Sequence, residues 1–399
     1  MAITKKITPT LAALTASAAA MPGISGFASA ASPITEPRIS ISTSSYQEQA
    51  IDGIRTTGTD NADRYDIEVG QFQLVAPMGD NAEIDFRLAK DRMSGASPWF
   101  VVEGADGEPV QVMSGATIDD ERKDASLEYK HFNDSSAISV ILGISSENDY
   151  LSHNIGVVVD QELNNNNTTV SVGYSFSDDN ITATDSELFF SRPEKENKSV
   201  QLLSLNVSHA VNKNLAFQTG LSYEVQKGFL SDPYKLVMVN NIPLADSRPD
   251  SRYALIYVAN LRQYFPKSTA ALKIDYRYYA DNWGIDSHTL SLIWHQNLTN
   301  NWSVAPMVRY YKQNEADFFA NYLVTAENQA SIHHSSDYRL SKFDAVSYGL
   351  TLTKQIGRMG IELSAEQYES TDSRKPGDSR TSPGLVDFSL VSLSASYEF

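Results

Sequence analysis

The stretch Ser389-Leu390-Val391-Ser392-Leu393-Ser394-Ala395-Ser396-Tyr397-Glu398-Phe399 decides the fold. Val391, Leu393, Ala395, Tyr397 and Phe399 fall on one face of an extended chain. Ser392, Ser394, Ser396 and Glu398 fall on the other, because successive side chains in a strand point to opposite sides. A strand with one apolar face, ending on an aromatic, suits a lipid-facing barrel wall. Tyr397 and Phe399 are then candidates for an insertion signal read by an outer-membrane barrel insertase.

The same period of two runs back along the chain. Ile84, Phe86 and Leu88 alternate with Glu83, Asp85 and Arg87. Leu272, Ile274, Tyr276 and Tyr278 alternate with Lys273, Asp275 and Arg277. Such runs number about sixteen, within a range of roughly 14–18, and no long amphipathic helix interrupts them. Short connections such as Asn133–Ser135, Val211–Asn214 and Asn297–Asn301 alternate with long polar ones such as Ser94–Glu121, Lys227–Asp250 and Asn314–Arg339. Short turns on one rim and long loops on the other predict an all-β, transmembrane, antiparallel up-and-down barrel, with periplasmic turns and extracellular loops.

The chain carries 32 basic and 49 acidic residues and no cysteine. Nucleic-acid binding by phosphate neutralisation is excluded by this balance, and disulfides and thiolate metal sites by composition. Lys5 and Lys6, an Ala-rich apolar stretch and Ala28-Ser29-Ala30 predict a signal peptide over residues 1–30. Its removal leaves 30 basic against 49 acidic residues, a formal charge of −19. A short segment, 31–37, would precede a barrel over 38–399. No cofactor is expected. The expected partners are outer-membrane lipid, the insertase during assembly, and a periplasmic protein of unknown identity.

Charge fixes the faces. Lys273 and Arg277 at mid-membrane would cost roughly 4–8 kcal/mol together if they met lipid. They must therefore face the lumen, with Asp275 beside them. The same logic turns Glu83, Asp85, Arg87 and Arg309 inward, with Glu128 and Lys130. Tyr46, Tyr65, Tyr264, Trp283, Trp302, Tyr310 and Tyr397, near strand ends, suit interfacial girdles. Ile67-Glu68-Val69 and Phe72-Gln73-Leu74 are out of phase, which predicts a β-bulge at Gly70-Gln71. Tyr253–Leu261 is apolar on both faces and has no simple place in the pattern.

Several loop motifs are candidates for chemistry. Asp91 leads into Met93-Ser94-Gly95-Ala96-Ser97-Pro98, and Met113-Ser114-Gly115-Ala116-Thr117 closes the same connection. Small residues at both feet allow close backbone approach, either for a loop folded inward or for a tight bend on the rim. Asp246-Ser247-Arg248-Pro249-Asp250-Ser251-Arg252 pairs acids with arginines and reads most simply as a solvated, salt-bridged loop. His333-His334 with Asp337 offers metal-ligand types, and Asp119-Asp120-Glu121 offers oxygens to a hard cation. Asp286-Ser287-His288 invites a nucleophile reading. Neighbours on a strand face opposite ways, so a hydrolase built on them is disfavoured and no enzymatic activity is expected.

The chain resembles an uncharacterised bacterial family, domain of unknown function 3570. The likeness lies in Ser94–Pro98, Ser114–Thr117, Arg248–Arg252, and Asp275–Tyr279 with Asp281, Trp283, Gly284, Ser287 and His288. It continues in Arg309-Tyr310-Tyr311, Ala316-Asp317-Phe318 and Ser335-Ser336-Asp337-Tyr338-Arg339-Leu340. It implies an outer-membrane barrel and places the unusual residues in the long-loop half. It names no activity. A passive channel for small solutes is the leading expectation, because no chain remains for a plug. A scaffold barrel for a periplasmic, exported or redox partner is the alternative.

Overall fold

The computed structural model describes residues 32–51, 56–57, 64–114, 118–189, 191–323, 332–370 and 382–399. The signal segment and Gly115 lie outside them.

The chain forms β1 (Arg38–Glu48), β2 (Thr56–Thr57), β3 (Asp66–Pro77), β4 (Ala82–Gly95), β5 (Pro98–Glu103), β6 (Pro109–Met113) and β7 (Ile118–Phe132). It continues with β8 (Ser136–Ser146), β9 (Tyr150–Leu163), β10 (Thr168–Ile181), β11 (Glu196–Asn212), β12 (Leu215–Gly228), β13 (Leu236–Val239) and β14 (Ile242–Ala245). The last third is β15 (Ser251–Phe265), β16 (Ala270–Asp281), β17 (Asp286–Asn297), β18 (Trp302–Gln313), β19 (Phe343–Ile356), β20 (Met359–Ser370) and β21 (Phe388–Glu398).

Sixteen of these close one antiparallel barrel, in the order β1-β21-β20-β19-β18-β17-β16-β15-β12-β11-β10-β9-β8-β7-β4-β3. Every expected strand has its counterpart. Several begin earlier than the alternation predicts: β7 runs 15 residues and β11 runs 17. A wall needs only about 9–11 residues to cross the hydrocarbon. Beyond the lipid edge, pairing continues where the apolar pattern has stopped.

Asparagine makes two of the tight turns. Asn164, Asn165 and Asn166 all take positive φ between β9 and β10, and Asn300 and Asn301 do so between β17 and β18. Asparagine tolerates this left-handed region better than other residues with a side chain.

The faces sort as lipid requires. Ile138, Val140, Leu142 and Ile144 of β8, and Ile155, Val157 and Val159 of β9, are exposed on the outer surface. Tyr264, Trp302, Tyr310 and Tyr397 share that exposure. Tyr46, Tyr65 and Trp283 do not belong to a girdle. Tyr65 is buried in a cluster with Ile67 and Met93, against which Tyr46 packs, and Trp283 is buried against Phe318.

The expected bulge is absent. β3 pairs with β1 without a register shift from Arg38↔Val75 to Gln47↔Asp66. Ile67 and Val69 simply take the inner face, where Tyr65 and Met93 cover them. Tyr253–Leu261 resolves similarly. Leu255 and Tyr257 face out, while Ala254 and Ile256 are buried on the inner face.

Candidate functional site

On the inner wall, most of the charges predicted to face the lumen find partners, on the same strand or across strands. Asp85 accepts from Gln73 Nε2 at 2.9 Å and pairs with Arg87 Nη2 at 2.6 Å. Glu83 accepts from the Ile34 backbone N–H at 3.0 Å, so the N-terminal segment lies against the short-turn end of the wall. Asp275 pairs with Arg262 at 2.5 Å, and Arg309 bridges Ser291 Oγ and Glu366 at 3.1 Å each. The Arg277 guanidinium lies over the Tyr279 ring at 5.3 Å. Lys273 stands on β16 in register with Arg262. Arg262, Glu366 and the Lys130–Asp160 pair, at 2.8 Å, complete this lining. Arg262, Asp160 and Glu366 escaped the sequence reading because diagonal partners depend on register, which a single strand does not display.

The long-loop mouth holds the denser constellation. The connection carrying β5 and β6 leaves between β4 and β7. That carrying β13 and β14 leaves between β12 and β15, with β7 to β12 standing between the two. A third, from Asn314 to Lys342, leaves between β18 and β19. These loops meet. Lys235 Nζ donates to the Pro98 carbonyl at 2.9 Å, Tyr322 Oη donates to the Gly107 carbonyl at 3.0 Å, and Val239 bridges Leu323. Contacts between segments rooted so far apart on the circumference run across the opening. The loop after β4 therefore folds inward, the first of the two arrangements its motif allowed.

Its feet explain the small residues. Ser114 N–H donates to the Ser97 carbonyl at 2.8 Å, and Ser114 Oγ accepts from Ser97 N–H at 3.0 Å. Ser97 Oγ shares a 2.7 Å hydrogen bond with Tyr65 Oη. Gly95 has φ +127°, and a Cβ there would stand 2.2 Å from the Arg64 carbonyl oxygen. Ser94 is exposed on the opposite face of β4.

At the centre, Asp337 is fully buried. It accepts from Arg248 Nη2 at 2.8 Å and from Arg339, and it caps the short 3-10 turn Tyr338–Leu340. Arg248 also holds Asp246 at 2.7 Å, and Arg339 reaches Asp232 at 2.9 Å. Burial opposes ionisation of Asp337, but Arg339, Lys235 and Arg248 outweigh it and hold the carboxyl well below the usual range. Burial pushes Lys235 down, against the pull of Asp337 and Asp232.

The motif around Arg248 is thus not a solvated loop. Asp250 is exposed and offers only its backbone carbonyl, to Gly228 N–H at 2.9 Å. Arg252 pairs with Asp281 at 2.5 Å and lies over Trp283 at 4.5 Å. Two further buried partners flank the centre. Arg64 donates to Glu48 at 2.9 Å, between the rings of Tyr65 and Tyr338. Asp91 pairs with Arg122 at 2.6 Å.

The metal and nucleophile candidates separate. Asp337 is taken by two guanidiniums, so it does not join His333 and His334 as a free ligand. Asp119 and Glu121 face outward, to Arg92 at 3.2 Å and Lys90 at 2.9 Å, while Asp120 is buried inside. Strand alternation splits the trio. Ser287 is buried, whereas exposed His288 pairs with Tyr276 at 2.8 Å and Asp286 at 3.3 Å on the other face. Tyr397 and Phe399 are exposed with their rings edge to face at 5.2 Å, and Phe399 N–H donates to the Pro37 carbonyl at 3.0 Å.

Residues 11–389 match the family described as protein of unknown function, DUF3570. The chain belongs to this family. No curated protein matches the sequence. Among solved structures, this DUF3570 chain is similar to CdiB from Acinetobacter baumannii, with 7% identity and a TM-score of 0.50 over 91% of this chain and 60% of that one. It is also similar to a bacterial polysaccharide outer membrane secretin (8% identity, TM-score 0.48, 91% of this chain and 98% of that chain). A third likeness is to the siderophore receptor PirA from Pseudomonas aeruginosa (10% identity, TM-score 0.44), over 85% of this chain but only 56% of the receptor. At such identities the likeness to CdiB shows the fold alone, a barrel of the outer-membrane type.

Proposed function

We propose that this DUF3570 barrel is a passive pore for small solutes in the outer membrane, narrowed at its outer mouth by the converging loops. One observation carries the reading: sixteen strands close a wall that is apolar outside and lined inside by paired charges of both signs. Walls of about 16–18 strands are wide enough for an aqueous channel, unlike walls of about eight, which side chains fill. The inner charges would be costly against a dry core, and a hydrated lumen removes that cost. The protein reaches the membrane through its signal peptide, and the insertase reads the strand ending in Tyr397 and Phe399. It performs no covalent chemistry in this reading.

The loop contacts across the mouth favour a second reading, a closed scaffold that holds a partner. Conductance in planar bilayers separates the two. The folded wild-type barrel is expected to conduct, and an Arg248→Ala, Arg339→Ala variant, whose loops are loosened, is expected to conduct several-fold more. Silence from both folded proteins would overturn the pore and leave the scaffold.

A further inference from the structure

Most buried acids among the described residues face a basic side chain. Glu48 has Arg64, Asp91 has Arg122, Asp160 has Lys130, Asp179 has Lys198, and Asp246 and Asp337 share Arg248. Asp120 and Asp149 depart from this rule. They are 0% and 1% exposed, and among the described residues neither has an ion pair. Asp120 Oδ1 accepts from Asn148 Nδ2 at 2.9 Å, and Asp149 Oδ2 accepts from Tyr234 Oη. The remaining oxygens, Asp120 Oδ2 and Asp149 Oδ1, are buried without a hydrogen-bond partner. Asp91 Oδ1 and Asp246 Oδ1 are orphaned as well, but an arginine already neutralises each of those carboxylates. Asp120 and Asp149 are buried with neither compensation, so these two mark a missing partner.

The carboxylates converge. One carboxylate oxygen each from Asp120, Glu147 and Asp149 lie within 4.8 Å of one another. Oxygens this close can ligate one ion, and a set of three protein carboxylates suits calcium, whereas magnesium usually keeps several waters and takes only one or two carboxylates. Asp120 comes from the top of β7, and Glu147 and Asp149 from the tight connection between β8 and β9, the neighbouring strands. The ladder that pairs β7 with β8 from Lys123↔Ser146 downward fixes their approach. The chemistry of the set is hard oxygen throughout, suited to a hard divalent cation.

We propose that Asp120, Glu147 and Asp149 form a calcium-type divalent-cation site at the long-loop rim of β7, β8 and β9. The cation replaces the basic partner that most of the other buried acids have. Through Tyr234 the site reaches the loop carrying β13 and β14, so the bound ion braces the covering of the mouth. The proposal stands whether or not the barrel conducts.

The test uses the full folded barrel in detergent, stripped of metal, with Ca²⁺ in calorimetry and Tb³⁺ in luminescence. The wild type is expected to take up one ion and to gain resistance of its loops to protease. Asp120→Asn and Asp149→Asn are expected to weaken binding at least 100-fold. Glu147→Gln, at the less buried ligand, is expected to weaken it about tenfold while disturbing the fold least. Asp119→Asn, on the outer face, serves as the control and is expected to bind as the wild type does. A folded wild type that binds neither ion at millimolar concentration overturns the proposal. So does Tb³⁺ binding that survives in a folded Glu147→Gln, Asp149→Asn double variant.

Discussion

Asp337 has a guanidinium on either side and no exposure to water, so its charge is held by Arg248 and Arg339 rather than by solvent. Removing one partner from such a buried arrangement costs about 3–5 kcal/mol, because the other charges stay behind uncompensated. For Asp337→Asn, cleavage of the mouth loops by protease is expected to accelerate on the order of 10²-fold or more, since local opening carries most of that cost. The pH dependence follows the depressed carboxyl. Its stabilisation is fully present above the ordinary carboxylate value of about 4 and is lost as pH falls through its lower native value. Loop protection is therefore expected to persist in mild acid and to fail only in strong acid, measured with an acid-active protease. Sequence reading singled out Asp337, Arg339 and Arg248, but not that they meet. Their joint burial depends on three loops crossing the opening, and nothing local to residues 246–252 announces it. Asp119-Asp120-Glu121 misled for the opposite reason. Read as loop, the trio could share an ion; paired as strand, it is divided between two faces.

Period and turn chemistry, which are local, carried the strands. The seven short connections were legible from their length, and five of them also from their asparagines, and Tyr397 with Phe399 from strict alternation. The region around Gly70 was misread because alternation assumes one constant apolar face. Near the mouth the apolar side changes over: Asp66 and Glu68 are exposed on the outer face while Ile67 and Val69 pack inward with Tyr65 and Met93, so they mimicked a slip in phase. Gly95 belongs to this scale as well. Its φ of +127° and the carbonyl of Arg64, 2.2 Å from where a Cβ would sit, leave no room on either count. Backbone strain of this kind costs about 1–3 kcal/mol, and here the chain must also move apart. Gly95→Ala is expected to displace residues 64–65 and break the Glu48–Arg64 pair. Hydrogen exchange at Arg64 to Ile67 should rise roughly tenfold or more while exchange in β16 to β18 stays unchanged. Unchanged exchange at Arg64 would show that the close approach is unimportant.

At the scale of the molecule, the wall was legible and the lid was not. Wall strands follow from lipid chemistry, which each strand meets separately. The lid is a product of contacts between residues far apart in the chain, such as Lys235 with Pro98, 137 positions away, and Tyr322 with Gly107, 215 positions away. The seam of the wall has a consequence of its own. β1 and β21 pair from Arg38↔Glu398 to Glu48↔Phe388, and Phe399 donates to Pro37, so the two ends of the described chain lie side by side on the short-turn rim. Adjacent ends invite circular permutation. A short linker from Phe399 to Ser32, with new ends cut into the turn Asn164–Asn167 on the same rim, would preserve every strand neighbour and leave Phe399 internal. Purified from inclusion bodies, the permuted chain is expected to refold and to show the same heat-dependent gel mobility as the parent. In cells it is expected to assemble poorly. Normal assembly would show that the machinery recognises the edge of the sheet rather than the chemistry of the last residue.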